Sequence, residues 1–106
     1  MYNFDWSATE KKIARKVFDS TVQAELHALI LEFKAKASSV QEVDSVWKIR
    51  DWIDKRQSEI DTEFDYRYSH LILVFARLIR SGKLNLADLS GISGDKLHEI
   101  KHISEL

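Results

Sequence analysis

The sequence predicts an all-α protein: a long antiparallel helical hairpin that dimerises into a helical-bundle stalk and carries a small C-terminal helical head. The chain has 106 residues and no proline, and its three glycines all lie between positions 82 and 94. The preceding residues therefore lack the strongest helix breakers. Apolar side chains recur at alternating intervals of three and four residues, which is the helical period. No segment shows the apolar–polar alternation of a strand.

The first long helix is expected to begin at Ser7 and to extend to about Ala37. Ser7-Ala8-Thr9-Glu10 is an S-x-x-E capping box, which satisfies free amides at a helix start. Two stripes of apolar or small residues give the helix a wide face for packing. They consist of Phe18, Val22, Leu26, Leu29 and Phe33, and of Ala14, Val17, Thr21, Ala24, Ala28, Leu31 and Ala35.

A second long helix is predicted from Glu42 to Arg80, a stretch of 39 residues without Gly or Pro. The sequence leaves open a bend around Asp61 to Asp65. A second S-x-x-E box, Ser39-Val40-Gln41-Glu42, would open it, and Ser81-Gly82 would close it. The turn at Ser38-Ser39 is short, so the two helices should be antiparallel. The apolar seam consists of Val43, Val46, Arg50, Ile53, Gln57, Ile60, Phe64, Arg67, Leu71, Val74 and Leu78, with Arg50, Gln57 and Arg67 as its polar exceptions.

This seam predicts a homodimer. A continuous helix of that length would be about 58 Å long, whereas a compact chain of this size has a radius of gyration of about 13 Å. One copy could hardly cover the seam, so a second chain should. The polar seam residues either extend their charged ends to solvent, or Arg50 pairs with an acid across the dimer and fixes its register. We assign residues 1–106 to one domain, with residues 7–70 as stalk and dimerisation region and residues 71–106 as head.

The head is predicted from a segment that is apolar on every side, Leu71 to Ala76. Such a segment should be enclosed, and Lys83 to Leu106 are the residues expected to enclose it. Asn85 is a candidate N-cap for a short helix, and Ser93 is a candidate N-cap for the last one.

Composition excludes several classes of protein. The net charge of −1 and the pI near 6.4 do not favour a protein that seeks nucleic acid or an anionic membrane. Without cysteine there is neither a disulfide framework nor a thiolate metal site. No apolar run approaches the roughly 20 residues of a membrane span. The start of the chain does not resemble a secretory signal, so we expect a cytoplasmic protein. Tyr2, Phe4 and Trp6 instead suggest a short arm that docks on the fold.

Two motifs allow an alternative function. His98-Glu99-Ile100-Lys101-His102 matches the zinc-protease pattern H-E-x-x-H. A third ligand and a substrate cleft have no evident candidates, so we expect no metal and no cofactor. Leu86 to Ile100 resembles a helix-turn-helix, with Ala87 at the tight contact and Gly91 in the turn. Its reading helix balances acids and bases, whereas DNA binders depend on phosphate contacts. No catalytic set emerges, and we expect a binding module rather than an enzyme.

Nearly the whole chain from Trp6 onward resembles the fluorescence recovery protein family. The Trp-rich block in the second helix is the most specific part, and the other segments follow it in the same order. The matching segments are Trp47-Lys48-Ile49-Arg50-Asp51-Trp52-Ile53, Glu59-Ile60-Asp61, Arg67, Val74-Phe75-Ala76 and Asp95-Lys96-Leu97. Trp6-Ser7, Glu10 and the Ala37-Ser38 turn match as well.

The resemblance implies a non-enzymatic, helical, dimeric regulator without a chromophore. Such proteins bind the light-activated orange carotenoid protein, mainly its C-terminal domain, and accelerate its return to the resting form. They thereby end photoprotective quenching of phycobilisomes. Binding a two-state partner differentially is sufficient for this role.

The resemblance also implies site residues. Trp47 and Asp51, with Arg50 and Ile53 beside them, match the dimer interface. Phe75 and Lys101 match head residues that contact the carotenoid protein, and Arg56 and Gln57 lie where the family has a functional Arg. The family's Arg corresponds to Gln57, with Arg56 one position earlier, and its His corresponds to Arg50. These departures keep open a diverged family member with another protein partner, in an organism without the carotenoid protein.

Overall fold

A computed structural model describes residues 5–106, and all statements below concern that part of the chain. It contains four α-helices, α1 (Ala8–Ser38), α2 (Val43–Glu63), α3 (Leu71–Arg80) and α4 (Gly94–Ser104), and one short 3₁₀ helix (Leu86–Leu89) between α3 and α4. The described residues contain no β-strand, which confirms the predicted all-α class. The chain measures 54 × 22 × 22 Å, and its radius of gyration of 16.8 Å exceeds the roughly 13 Å of a compact chain of this size.

The first helix follows its prediction closely. Ser7 is the N-cap: its hydroxyl accepts a hydrogen bond from the Glu10 amide, and the Glu10 carboxylate accepts one from the Ser7 amide. The helix ends at Ser38, one residue beyond the expected Ala37. The following turn reverses the chain, and Arg56 of α2 lies beside Glu25 of α1, as the predicted antiparallel hairpin requires.

The helix predicted from Glu42 to Arg80 is interrupted, and the break begins within the region Asp61–Asp65 where a bend was left open. Helix α2 ends at Glu63, and residues 64–70 form a linker before α3 begins at Leu71. The cause is tertiary packing, since the break allows Phe64 and Tyr66 both to contact Phe18 of α1. Their ring centroids lie 5.7 and 4.7 Å from that of Phe18.

The break also changes the predicted seam, because its helical register does not continue through the linker. Arg67, expected on the packed face, is exposed in the linker and forms an ion pair with Asp65. The Arg15 guanidinium lies 3.6 Å from the Tyr66 ring centroid, which further fixes the linker against α1. Aromatic pairs and cation–π contacts of this kind each contribute about 0.5–1.5 kcal/mol, which helps to hold the linker on α1.

The second capping box is wrong. Helix α2 begins at Val43 after Glu42, whose side chain makes no cap hydrogen bond. Ser39 instead ends α1, and its hydroxyl donates to the Lys36 carbonyl. The same S-x-x-E pattern therefore caps a helix only where the chain around it adopts the required geometry.

The core lies at one end of the molecule. It joins the N-terminal half of α1 to α3, the 3₁₀ helix and α4, and it confirms that the segment from Leu71 is enclosed. Its members are Trp6, Ala14, Phe18, Leu71, Ile72, Val74, Phe75, Ala76, Leu78, Leu84, Leu89, Ile92, Ile100 and Ile103. Residues from both proposed segments, 7–70 and 71–106, share this core, so the division into stalk and head remains a prediction. Trp6 docks as expected, whereas Tyr2 and Phe4 lie outside the described residues.

Two glycines shape the head. Gly82, with φ of +79°, ends α3 in a Schellman turn, in which the Gly82 and Lys83 amides donate to the carbonyls of Ile79 and Leu78. Gly91 has φ of +102°, and a Cβ there would lie 2.6 Å from Ile13 Cδ1 of α1. As predicted, Asn85 precedes the short helix and Ser93 caps α4, its hydroxyl accepting from the Lys96 amide.

Candidate interaction surfaces

Far from the core, the stalk end exposes a large apolar surface. The side chains of six large residues between positions 30 and 47 are 42–66% exposed, and we call them the stalk surface: Ile30, Leu31, Phe33, Val43, Val46 and Trp47. Several large apolar residues exposed at one end of the hairpin are typical of an interaction surface. Helix α2 has no buried side chain along its whole length. The surface is therefore suited to cover by another protein chain.

The residues assigned to a dimer interface lie on or beside the stalk surface. Trp47, Arg50 and Asp51 are exposed, and Ile53 is half-buried. The Arg50 guanidinium lies 5.5 Å from the Trp47 ring centroid and 3.1 Å from an Asp51 carboxylate oxygen. Arg50 can therefore satisfy its charge within one chain, as the solvent-exposed alternative requires, while both charges stay accessible to a second chain.

Arg56 has a different environment from the one expected of a partner-binding residue. Its guanidinium donates to Glu25 of α1 at 2.7 Å and to Glu59 at 3.0 Å. These hydrogen bonds, that to Glu25 above all, raise the pKa of Arg56 despite its burial. The neighbouring Gln57 is exposed. Arg56 is thus paired within its own chain and partly shielded, whereas Gln57 is exposed; the assignment of both to partner binding stays a prediction.

The two head residues also differ in exposure. Lys101 lies exposed on α4, as a partner contact requires. Phe75 is fully buried at the centre of the core. Its ring does not reach the surface, and its assignment to partner contact stays a prediction.

A buried ion pair, missed by the sequence analysis, joins the start of α1 to the start of α4. Glu10 and Lys96 are only 7% and 5% exposed, and the Lys96 ammonium lies 3.1 and 3.2 Å from the two Glu10 carboxylate oxygens. The same carboxylate accepts from the Ser7 amide at 2.9 Å and from the Ser93 amide at 2.8 Å. Both helix N-termini favour an anion. The Glu10 carboxylate therefore holds the N-terminal helix on the head.

We expect this contact to make stability fall in acid. Hydrogen bonding from the Ser7 amide, aided by Ser93 and Lys96 and opposed by burial, lowers the pKa of Glu10 from 4.5 to about 2. A depressed pKa adds stability above the unfolded value, and this is lost as pH falls from about 5 toward 2, up to roughly 3 kcal/mol. Urea unfolding across this range should show the loss, and the slope should be shallower in Glu10→Gln. Equal slopes in the two proteins would contradict the assignment.

The two alternative motifs have little structural support. His98 and His102 lie exposed on α4, and no group of three or more His, Cys, Asp or Glu within residues 5–106 is arranged to hold a metal ion. The expected first helix of a helix-turn-helix is a single 3₁₀ turn, Leu86–Leu89, and Ala87 is exposed rather than at a tight contact. None of the helices in the described part of the chain is long and apolar enough to cross a bilayer.

Comparison with known proteins gives a consistent result. A family model described as "Photoprotection regulator fluorescence recovery protein" matches residues 6–104. The fluorescence recovery protein of Synechocystis sp. PCC 6803 is 34% identical over 101 residues, covering 95% of this chain and 93% of that protein. The solved structure of the Fremyella diplosiphon fluorescence recovery protein has a TM-score of 0.91 at 34% identity, covering 96% of this chain and 100% of that one. The Synechocystis structure gives 0.90 at 33% identity with the same coverage.

Proposed function

The chain belongs to the fluorescence recovery protein family of photoprotection regulators, and we propose that it binds the photoactivated orange carotenoid protein and accelerates its return to the resting form. It would act without bond chemistry, as a regulator rather than an enzyme. The observation that carries the proposal is the match over residues 6–104, supported by an architecture shared along the same length. The cytoplasmic location expected from the sequence stays a prediction.

Acceleration sets a physical requirement on the binding surface. A regulator speeds a partner's conformational relaxation only if it binds the transition state between the two forms more tightly than it binds the activated form. The exposed Lys101 offers a cation on a rigid helix, and Gln57 offers a neutral amide on α2. We assign both residues to partner binding, with Phe75 holding the head in shape.

The test mixes the protein with photoactivated orange carotenoid protein and follows the red-to-orange decay in the dark. We expect faster decay with the wild type and a smaller acceleration with Lys101→Ala, while Lys16→Ala, an exposed lysine elsewhere on α1, should behave as wild type. An unchanged decay at excess wild-type protein would reject the recovery function and leave the fold unaffected.

One observation supports the diverged-relative alternative. The family's Arg corresponds to Gln57, and Arg56 cannot replace it, because its guanidinium is bound by Glu25 and Glu59. If the wild type does not accelerate the decay, and the only cause is the missing Arg at position 57, then Gln57→Arg should restore acceleration. Failure of both proteins would favour another partner.

We also propose that the stalk surface is covered by a second copy of the chain, with Trp47, Arg50, Asp51 and Ile53 at the interface. Exposed apolar side chains continue along both helices of the hairpin. A two-fold arrangement would therefore bury each copy's surface against the other's.

Trp47→Ala and Asp51→Leu are expected to weaken self-association. Buried Trp residues at interface centres typically contribute 2 kcal/mol or more, which corresponds to at least about a 30-fold increase in the dimer Kd. Sedimentation at several concentrations would measure this, with Lys48→Ala, an exposed neighbour, as the control. Full dimer for both variants at micromolar concentration would argue against this interface.

A further inference from the structure

A cluster of charges joins three parts of the chain outside the surfaces described above. Glu25 of α1 accepts hydrogen bonds from Arg56 of α2 at 2.7 Å and from Lys83, just after α3, at 3.1 Å. Lys83 also forms an ion pair with Glu63, the last residue of α2. We call Glu25, Arg56, Glu63 and Lys83 the ion cluster.

The cluster is partly shielded at its Glu25–Arg56 bond, whereas the contacts of the Lys83 ammonium are exposed. The Glu25 side chain is 12% exposed, and those of Arg56 and Lys83 are 21% and 28% exposed. Burial alone would raise the pKa of Glu25, but the hydrogen bonds and charges of Arg56 and Lys83 outweigh it and lower that pKa below its ordinary value. An ion pair shielded in this way is weakened less by salt than one on the open surface.

Apolar packing holds α2 only weakly to the rest of the chain, so the ion cluster is important for the position of this helix. The buried core draws on α1, α3, α4 and the segments between them, whereas α2 has no buried side chain. Its last turn also has no basic residue to balance the negative end of the helix dipole, and it ends on the acidic Glu63. Lys83 supplies this cation from another part of the chain.

Lys83 is itself fixed to the head. Its amide donates to the Leu78 carbonyl in the Schellman turn formed by Gly82, and Leu78 is fully buried. A displacement of the Lys83 backbone would therefore disturb the core. From this fixed backbone, the Lys83 ammonium contacts Glu63 at the end of α2 and Glu25 in the middle of α1.

We propose that Lys83 is a positioning residue that, through Glu25 and Glu63, clamps α2 onto α1 and the head. The clamp sets the direction in which α2 presents Trp47 and Asp51. Only this last consequence rests on the proposed self-association; the clamp itself is a property of one chain.

The test measures the position of α2 directly. The chain has no cysteine, so Lys55→Cys on α2 and His98→Cys on α4, both exposed, allow two nitroxide labels whose separation is read by pulsed electron paramagnetic resonance. Labelled chains are diluted into excess unlabelled protein, so that only the distance within one chain is observed. In this labelled background we compare Lys83→Met, Glu25→Gln and the control Lys16→Met. Lys16 lines the same groove as Lys83 but has no ion pair among residues 5–106.

The expected result is one narrow distance distribution for the parent and for Lys16→Met, and a broadened, shifted distribution for Lys83→Met and Glu25→Gln. Raising ionic strength from about 0.1 M to 1 M shortens the Debye length from about 10 to 3 Å. Because the cluster is partly shielded, the parent distribution should still stay narrower than those of Lys83→Met and Glu25→Gln. Parent-like distributions for both cluster variants would overturn the proposal, as would equal broadening in Lys16→Met.

Circular dichroism identifies a variant that has lost its helices. In that case Glu63→Gln is measured in the same way. It removes one Lys83 contact and leaves Glu25 paired with Arg56, and a parent-like distance distribution would overturn the proposal. Because no carotenoid protein is present, a failed clamp and a failed recovery function give separate results.

Discussion

Phe75→Ala is expected to lower the free energy of unfolding by about 3–5 kcal/mol. Phe75 is fully buried, so the substitution removes the free energy of burying its ring and leaves a cavity in the core. This loss is a large share of the 5–15 kcal/mol typical of a domain. Urea unfolding at one fixed protein concentration measures it, because association would otherwise change the apparent stability.

The control for this prediction is Phe75→Leu, which retains most of the volume and should cost less than about 1.5 kcal/mol. This pair also separates the two interpretations of Phe75. If the residue supports the head, Phe75→Leu should keep most of any activity toward a partner. A protein with wild-type stability and no activity would instead indicate direct contact, contrary to its burial.

Lys96→Met is expected to cost about 3 kcal/mol of stability. It leaves the Glu10 carboxylate buried without its ammonium partner, and breaking such a pair from one side is strongly destabilising. Glu10 would keep its hydrogen bonds from the Ser7 and Ser93 amides. These bonds place the expected cost at the lower end of the range for buried pairs.

The double variant Glu10→Gln/Lys96→Met provides the test, because removing both charges leaves no buried carboxylate. Its stability should recover part of the loss in Lys96→Met. Strictly additive losses would mean that the two side chains do not act as a pair. Chemical unfolding of the four proteins at neutral pH completes the cycle.

Local chemistry could be predicted wherever it was complete within a few residues. The Ser7 capping box, the glycine end of α3 and the Ser93 cap were all predicted correctly, because each depends on side chains within three or four positions. The enclosure of the apolar segment that begins at Leu71 was also predicted correctly, because it depends only on the residue types within that segment. The capping box predicted at Ser39 was wrong although it has the same S-x-x-E pattern, because Ser39 is at the end of α1 and not at the start of α2.

What the sequence could not provide was the set of contacts between distant residues. Glu10 and Lys96 are 86 positions apart, and Glu25 and Lys83 are 58 apart. Glu10 was identified only through the Ser7 capping box, and no local pattern pairs it with Lys96 or pairs Glu25 with Lys83. The interruption at Phe64 was left open as a bend around Asp61 to Asp65, and its form depends on contacts with Phe18 of α1.

The sequence by itself determined an all-α chain, the position of its apolar segments and its family resemblance. These follow from helical periodicity and from residue types, which are properties of neighbours along the chain. Only the tertiary structure decided that the second long helix breaks, that Phe75 and Arg56 turn inward, and that Glu10 and Lys83 join the elements. Each of these depends on a partner that folding brings close, because burial and pairing energies belong to contacts in space.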